Sequence, residues 1–246
     1  MKKLFYSLGV TLLVASFALA QKTAPSPAAV AANTVAADNA AALVLAKAAL
    51  AAHGGDKFKQ MKSVVMKGSA DINVGNQIQP GGFSMAISGN KYYFEVAMAV
   101  QSFKQVSDGV NTNSSVPGIL LPPVTSMGFP VLAHVGETGY LVTKYGGAKK
   151  KPGFRITTPE GYYTDFWIDE KSGQVKGFES AYNYNGRDIS TSAEIEEMLA
   201  VDGITFPKKY SQRFDLGSFT AYANFKAKDI LVNTPLDDSA FSLNGK

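Results

Sequence analysis

The sequence predicts a mainly β protein with few helices, an α+β chain organised on one large antiparallel sheet. Three observations carry this. From Ser63 onward, apolar and polar residues alternate in about ten short runs separated by Gly, Asn, Asp and Pro. Strands in that number do not stay flat, so the sheet curls or closes. The departures from the two-residue period are an Ala-rich segment ahead of Ser63 and one apolar segment in mid-chain.

In chain order, Lys2 and Lys3 precede an apolar run from Leu4 to Phe17, and Ala18-Leu19-Ala20 supplies small residues before Gln21. This pattern predicts an export signal over residues 1–20, cleaved after Ala20. Residues 21–37, rich in Ala, Pro, Thr, Ser and Asn, read as a disordered leader, leaving 38–246 as a single domain. Asp38 is placed to cap a helix over Asn39 to Ala52, which Gly54 and Gly55 end. A further helical turn is expected around Asp56 to Met61.

The first strand puts Val64, Met66, Ala70 and Ile72 on one face, with Lys67, Ser69 and Asp71 opposite. A hairpin turning at Gly89-Asn90 follows, with Phe83, Met85 and Ile87 on one arm and Tyr92, Phe94, Val96, Met98 and Val100 on the other. Gln101 to Asp108 pairs next, and Gly109 to Ser115 reads as a polar loop. After the mid-chain segment come strands over Tyr140 to Tyr145 and Phe154 to Thr158. Tyr162 to Asp169 and Gln174 to Tyr184 then form an aromatic-rich hairpin. Ser190 to Val201 has helical propensity in its Ala-Glu-Ile-Glu-Glu-Met-Leu core, but its place between hairpins favours a strand. Ile204 to Phe214 and Phe219 to Val232 complete the sheet.

The mid-chain segment, Val116 to Val135, contains no Lys, Arg, Asp or Glu and is broken by Pro117, Pro122, Pro123 and Pro130. Proline at that density excludes a continuous helix. Yet Ile119, Leu120, Leu121, Val124, Met127, Phe129, Val131 and Leu132 need cover. At about 1.5–3 kcal/mol per buried side chain, up to roughly 10–20 kcal/mol depends on it. The expectation is an apolar flap of short helical turns lying over a hydrophobic surface.

Several short motifs share their spacing with a known group. Ala52-His53-Gly54-Gly55 ends the helix and Met61-Lys62-Ser63-Val64 opens the first strand. Phe166-Trp167-Ile168-Asp169 is followed by Ser172-Gly173-Gln174-Val175, then by Val201-Asp202-Gly203-Ile204-Thr205-Phe206-Pro207, and the chain ends in Asn233-Thr234-Pro235-Leu236-Asp237-Asp238-Ser239-Ala240-Phe241. Over residues 40–243 this resembles the LolA-like superfamily of periplasmic lipoprotein carriers and lipoprotein-sorting relatives. The resemblance implies an incomplete β-barrel, a strongly curved antiparallel sheet with a helical plug, and acyl chains held between the two.

Little in the sequence points to catalysis. There is no cysteine, hence no disulfide, thiolate metal site or cysteine nucleophile. No Gly-x-Ser-x-Gly elbow, phosphate-cradling loop or zinc spacing occurs. The formal charge of +4 falls by two when Lys2 and Lys3 are removed, which argues against a nucleic-acid protein. His53 reads as a cationic helix C-cap and His134 as a structural or solvent-facing residue. The pairs Asp169-Glu170, Glu196-Glu197 and Asp237-Asp238 read as turns or solvated faces. Lys149-Lys150-Lys151 is either a solvated hairpin tip or a contact to anionic headgroups or an acidic partner.

The expected protein is a non-enzymatic periplasmic carrier without cofactor, whose partners are a lipid or lipoprotein acyl chains, with transient contact to a membrane surface or acceptor protein. The residues expected to line its hydrophobic cavity and flap are Met66, Met85, Phe94, Met98, Leu120, Leu121, Met127 and Phe129; thioethers suit a deformable lining. An envelope sensor module of the same fold and a fully packed structural β protein are the alternatives.

Overall fold

The computed structural model describes residues 27–74, 77–99, 101–145, 151–184, 186–217 and 219–243. The expected signal peptide, the start of the leader, Val100, Lys149 and Lys150 lie outside them. Helices α1 (Pro27–Ala52) and α2 (Asp56–Lys59) precede twelve strands. These are β1 (Ser63–Val74), β2 (Gln77–Ser88), β3 (Lys91–Met98), β4 (Phe103–Ser107), β5 (Thr112–Ser114), β6 (Leu141–Lys144), β7 (Gly153–Thr157), β8 (Tyr163–Ile168), β9 (Val175–Tyr184), β10 (Arg187–Val201), β11 (Ile204–Asp215) and β12 (Thr220–Val232). They form one antiparallel sheet in the order β5-β4-β3-β2-β1-β12-β11-β10-β9-β8-β7-β6, not closed into a barrel.

The two-residue period sets the inner face. Val64, Met66 and Ala70 of β1 are buried while Lys67, Ser69 and Asp71 face outward. In β12 the buried set is Ala223, Phe225 and Ala227, then Ile230. The phase changes because the register with β1 shifts between Lys67 and Gly68, one extra residue on β12 rotating the rest of the strand. Phe166 of β8 stands opposite Phe178 of β9, and the next pair sets Trp167 against Gly177. A Cβ on Gly177 would meet the Trp167 ring at 2.4 Å and the Ala193 carbonyl at 2.2 Å, so glycine there makes room for the indole.

Several expectations are corrected. The helix starts at Pro27, not after Asp38, because residues 27–37 are mostly alanine and continue the helix, with proline tolerated in its first turn. Asp38 is therefore not a cap. Its carboxylate pairs with Lys144 at 2.9 Å, and the Asn39 side chain accepts the Lys144 backbone N–H at 3.1 Å, so α1 covers a free donor of the edge strand β6. Part of the expected polar loop Gly109 to Ser115 forms the short edge strand β5, paired to β4. The ambiguous Ser190 to Val201 is strand, lying within β10.

His53 is not a cationic cap either. It is 0% exposed; its Nδ1 lies 2.7 Å from the Thr205 carbonyl and its Nε2 accepts the Val175 backbone N–H at 3.0 Å. One nitrogen donates and the other accepts, which only neutral imidazole can do. Burial accordingly depresses its pKa. The residue ties the end of α1 to β9 and β11.

The curl of the sheet can be read from its connections. The Gln105 side chain on β4 bonds Leu121, and the Thr164 hydroxyl on β8 bonds Gly128. β4 and β8 stand eight intervals apart, about 38 Å in a flat sheet, whereas the seven residue steps from 121 to 128 reach at most about 25 Å. The sheet must bend to bring those strands within reach. Its two edge strands, β5 and β6, are consecutive in the chain, and the segment joining them, residues 115–140, contains the apolar flap. The flap thus lies across the gap that further strand pairing would have closed.

Candidate functional site

Between flap and sheet lies a cavity of about 240 Å³. The sheet supplies Val64 and Met66 from β1, Met85 and Ile87 from β2, Phe94 from β3, Phe178 from β9, Ile195 from β10 and Phe206, Tyr210 and Phe214 from β11. The flap supplies Leu121, Pro122, Val124, Met127 and Phe129, and α2 contributes Phe58 and Lys59. Six of the eight residues expected from sequence therefore meet on it: Met66, Met85, Phe94, Leu121, Met127 and Phe129. Met98 shares the inner parity of β3 but lies past Phe94, the strand's contribution to the lining, and packs against the core opposite Gly81. Leu120 instead lines a second, more polar groove beside Tyr162 and Tyr182, which Leu121 also borders.

The flap is held at three places. The Gln105 amide, 1% exposed, accepts the Leu121 N–H at 2.7 Å and donates to the Leu121 carbonyl at 3.1 Å and to the Tyr92 hydroxyl at 2.7 Å. This side chain takes the place of a neighbouring strand. Gly128 N–H is shared between the Thr164 and Ser180 hydroxyls, at 3.0 and 3.2 Å, and those hydroxyls lie 2.8 Å from each other. Beyond Gly128 the chain forms a 3-10 turn, Phe129–His134, in which Val131 and Leu132 are fully buried. Lys59 Nζ donates to the Val135 carbonyl at 3.0 Å, and the Phe129 ring meets His53 edge-on at 5.0 Å. Residues 122–127 span the cavity between the first two attachments.

Gln105, Thr164 and Ser180 were missed in the sequence. Their signal was a polar side chain at an inward-facing strand position, as with Thr164 beside Phe166 and Ser180 beside Phe178. Tyr92 is buried and Tyr210 lines the cavity, and burial raises both phenol pKa values. His134 sits at the rim, stacked on Tyr140 at 4.5 Å with Nδ1 2.6 Å from Glu137, in keeping with its structural reading. Lys151 extends over the Trp167 ring, 5.6 Å from its centroid. The acidic pairs take turn and surface roles. Asp169 accepts from Ser172, Asp237 caps the C-terminal 3-10 turn, and Glu196 and Glu197 pair with Lys209 and Lys208.

No family model matches the chain, and neither does any curated relative. Solved structures do. A LolA superfamily protein from Nitrosomonas europaea is 12% identical and superposes with a TM-score of 0.50, covering 82% of this chain and 97% of that one. A DUF1329 family protein from Desulfovibrio piger gives 10% identity and a TM-score of 0.49 over 82% and 98%. A domain named for outer membrane lipoprotein sorting, from Vibrio parahaemolyticus, gives 10% and 0.42 over 84% and 98%. At these identities the likeness concerns architecture, and the chain has a LolA-like fold.

Proposed function

We propose that this protein reversibly binds a lipid, or the acyl chains of a lipidated protein, and carries it through an aqueous compartment of the cell envelope. The observation that supports this most is an apolar cavity walled on one side by a segment bonded to the sheet only at its ends. The cavity exceeds the roughly 150 Å³ that admits benzene, yet falls short of the roughly 300–1,000 Å³ usual for ligand pockets. A long acyl chain therefore enters by moving residues 122–127 outward, while the buried 3-10 turn stays in place. Loading and release both require that the closed and displaced packings differ by only a few kcal/mol.

Export by residues 1–20 to the periplasm belongs to the same reading. Among the described residues no helix is long and apolar enough to cross a membrane. The cavity weighs against a fully packed structural role. Mass spectrometry of an organic extract of the mature protein, purified from membrane-containing cells, tests the proposal. It expects lipid in near-stoichiometric amount; protein that is clean and also takes up no fluorescent fatty acid overturns it.

A further inference from the structure

The cavity wall is apolar, but its basic residues have no acidic counterpart. Lys59, Lys62 and His134 line it, and no Asp or Glu does. His134 is bonded to Glu137, which is itself outside the lining, so the fixed positive charge of the lining belongs to the lysines. Lys59 donates to the Val135 carbonyl. Lys62 is exposed and, among the described residues, makes no ion pair.

Both lysines lie at the α2 end, beside Ser63 at the start of β1. Ser63, Thr125, Thr191, Tyr210 and Gln212 are the other polar side chains of the lining; Ser63 donates to the Thr234 carbonyl, and Gln212 donates to the Thr191 hydroxyl at 2.8 Å. Gln212 pairs with Ala223, and Ala223 with Ile72 far along β1 from Ser63. The lining thus runs from an end with lysines to an end without them, where Thr191 and Gln212 satisfy each other.

Building on the carrier reading, we propose that the ligand is an anionic amphiphile, oriented with a carboxylate or phosphate head at Lys59 and Lys62 and its chain directed toward Phe214. Each lysine near an anionic group contributes about a fivefold gain in affinity at low salt, and the gain shrinks as the screening length falls to about 10 Å at 0.1 M.

The test displaces the neutral fluorophore N-phenyl-1-naphthylamine from the mature protein with ligands of one chain length: dodecanoate, dodecyl phosphate, dodecanol and dodecyltrimethylammonium. Both anions are expected to bind at least fivefold more tightly than dodecanol. Lys62→Glu is expected to remove most of that advantage, leave dodecanol unchanged and improve the cationic ligand. The Lys62 backbone N–H, bonded to Asn233 Oδ1 at 2.8 Å, is untouched by the change, and an unaltered thermal midpoint verifies that the fold is intact. A preference for dodecyl phosphate assigns a phospholipid-type head, and a preference for dodecanoate a fatty carboxylate. Equal affinity for dodecanol and the anions, or a uniform loss in Lys62→Glu, overturns the head-group assignment while leaving the carrier reading standing. Failure of every ligand and of the fluorophore to bind overturns both.

Discussion

At the scale of single residues, His53 is a neutral side chain wedged between two backbone groups of separate strands. Protonation would place a second N–H against the Val175 N–H, and desolvation penalises the cation further. Its folded pKa lies below the ordinary 6.5, so the unfolded chain takes up the proton first as pH falls. The stabilisation is complete above about pH 6.5 and declines below it toward the depressed folded value, by up to about 1.4 kcal/mol per pH unit. Thermal midpoints measured from pH 7.5 to 5 should show this decline in the natural sequence and lose it in His53→Gln. Because the only other histidine, His134, is retained in that variant, a decline that persists assigns the effect elsewhere. His53→Ala leaves the Thr205 carbonyl and the Val175 N–H without their partner and should cost about 2–5 kcal/mol in denaturant unfolding.

At the scale of elements, the flap behaves as a strap with two attachments and one rigid end. Gln105→Leu keeps the volume but removes three hydrogen bonds, leaving Leu121 unpaired; a loss of about 1–3 kcal/mol and faster ligand release are expected, read by denaturant unfolding and stopped-flow. Gly128 sits at φ 78° and ψ −152°, a conformation essentially reserved for glycine, and a Cβ there would lie 3.0 Å from the Phe178 ring. Gly128→Ala should therefore destabilise by about 1–3 kcal/mol or more in the same measurement. Since the chain lacks cysteine, Thr125→Cys on the strap gives a single labelling site. An environment-sensitive dye at that position should change emission on ligand addition. An unchanged spectrum beside demonstrated binding would mean that the strap does not move.

At the scale of the whole molecule, ligand and fold are linked. A ligand bound by the folded state alone, at a hundred times its dissociation constant, adds about 2.7 kcal/mol of stability, so the unfolding midpoint should rise with dodecanoate and level off as binding predicts. An unchanged midpoint would mean that the folded protein does not bind dodecanoate.

Much of this was legible in the sequence because it depends on local periodicity. The alternation of Val64, Met66 and Ala70 with Lys67, Ser69 and Asp71 fixes a strand and its inner face wherever the strand is placed. The same alternation brought Met66, Met85 and Phe94 to one side, and the uncharged, proline-broken composition of residues 116–135 marked a segment that must be covered without forming a regular element. Long-range geometry decided the remainder. His53 next to two glycines reads locally as a cap, and only the arrival of Val175 and Thr205 from distant strands makes it a neutral wedge. Asp38 at the head of a leucine-bearing stretch reads as a helix start, but alanine on both sides continues the helix and β6 takes the carboxylate. Which inward-facing polar residues would hold the flap, and where along β3 the cavity would end, followed from the curl of the sheet. Side-chain period is set by neighbours along the chain, whereas hydrogen-bond partners and enclosed space are set by strands that meet only when the sheet bends.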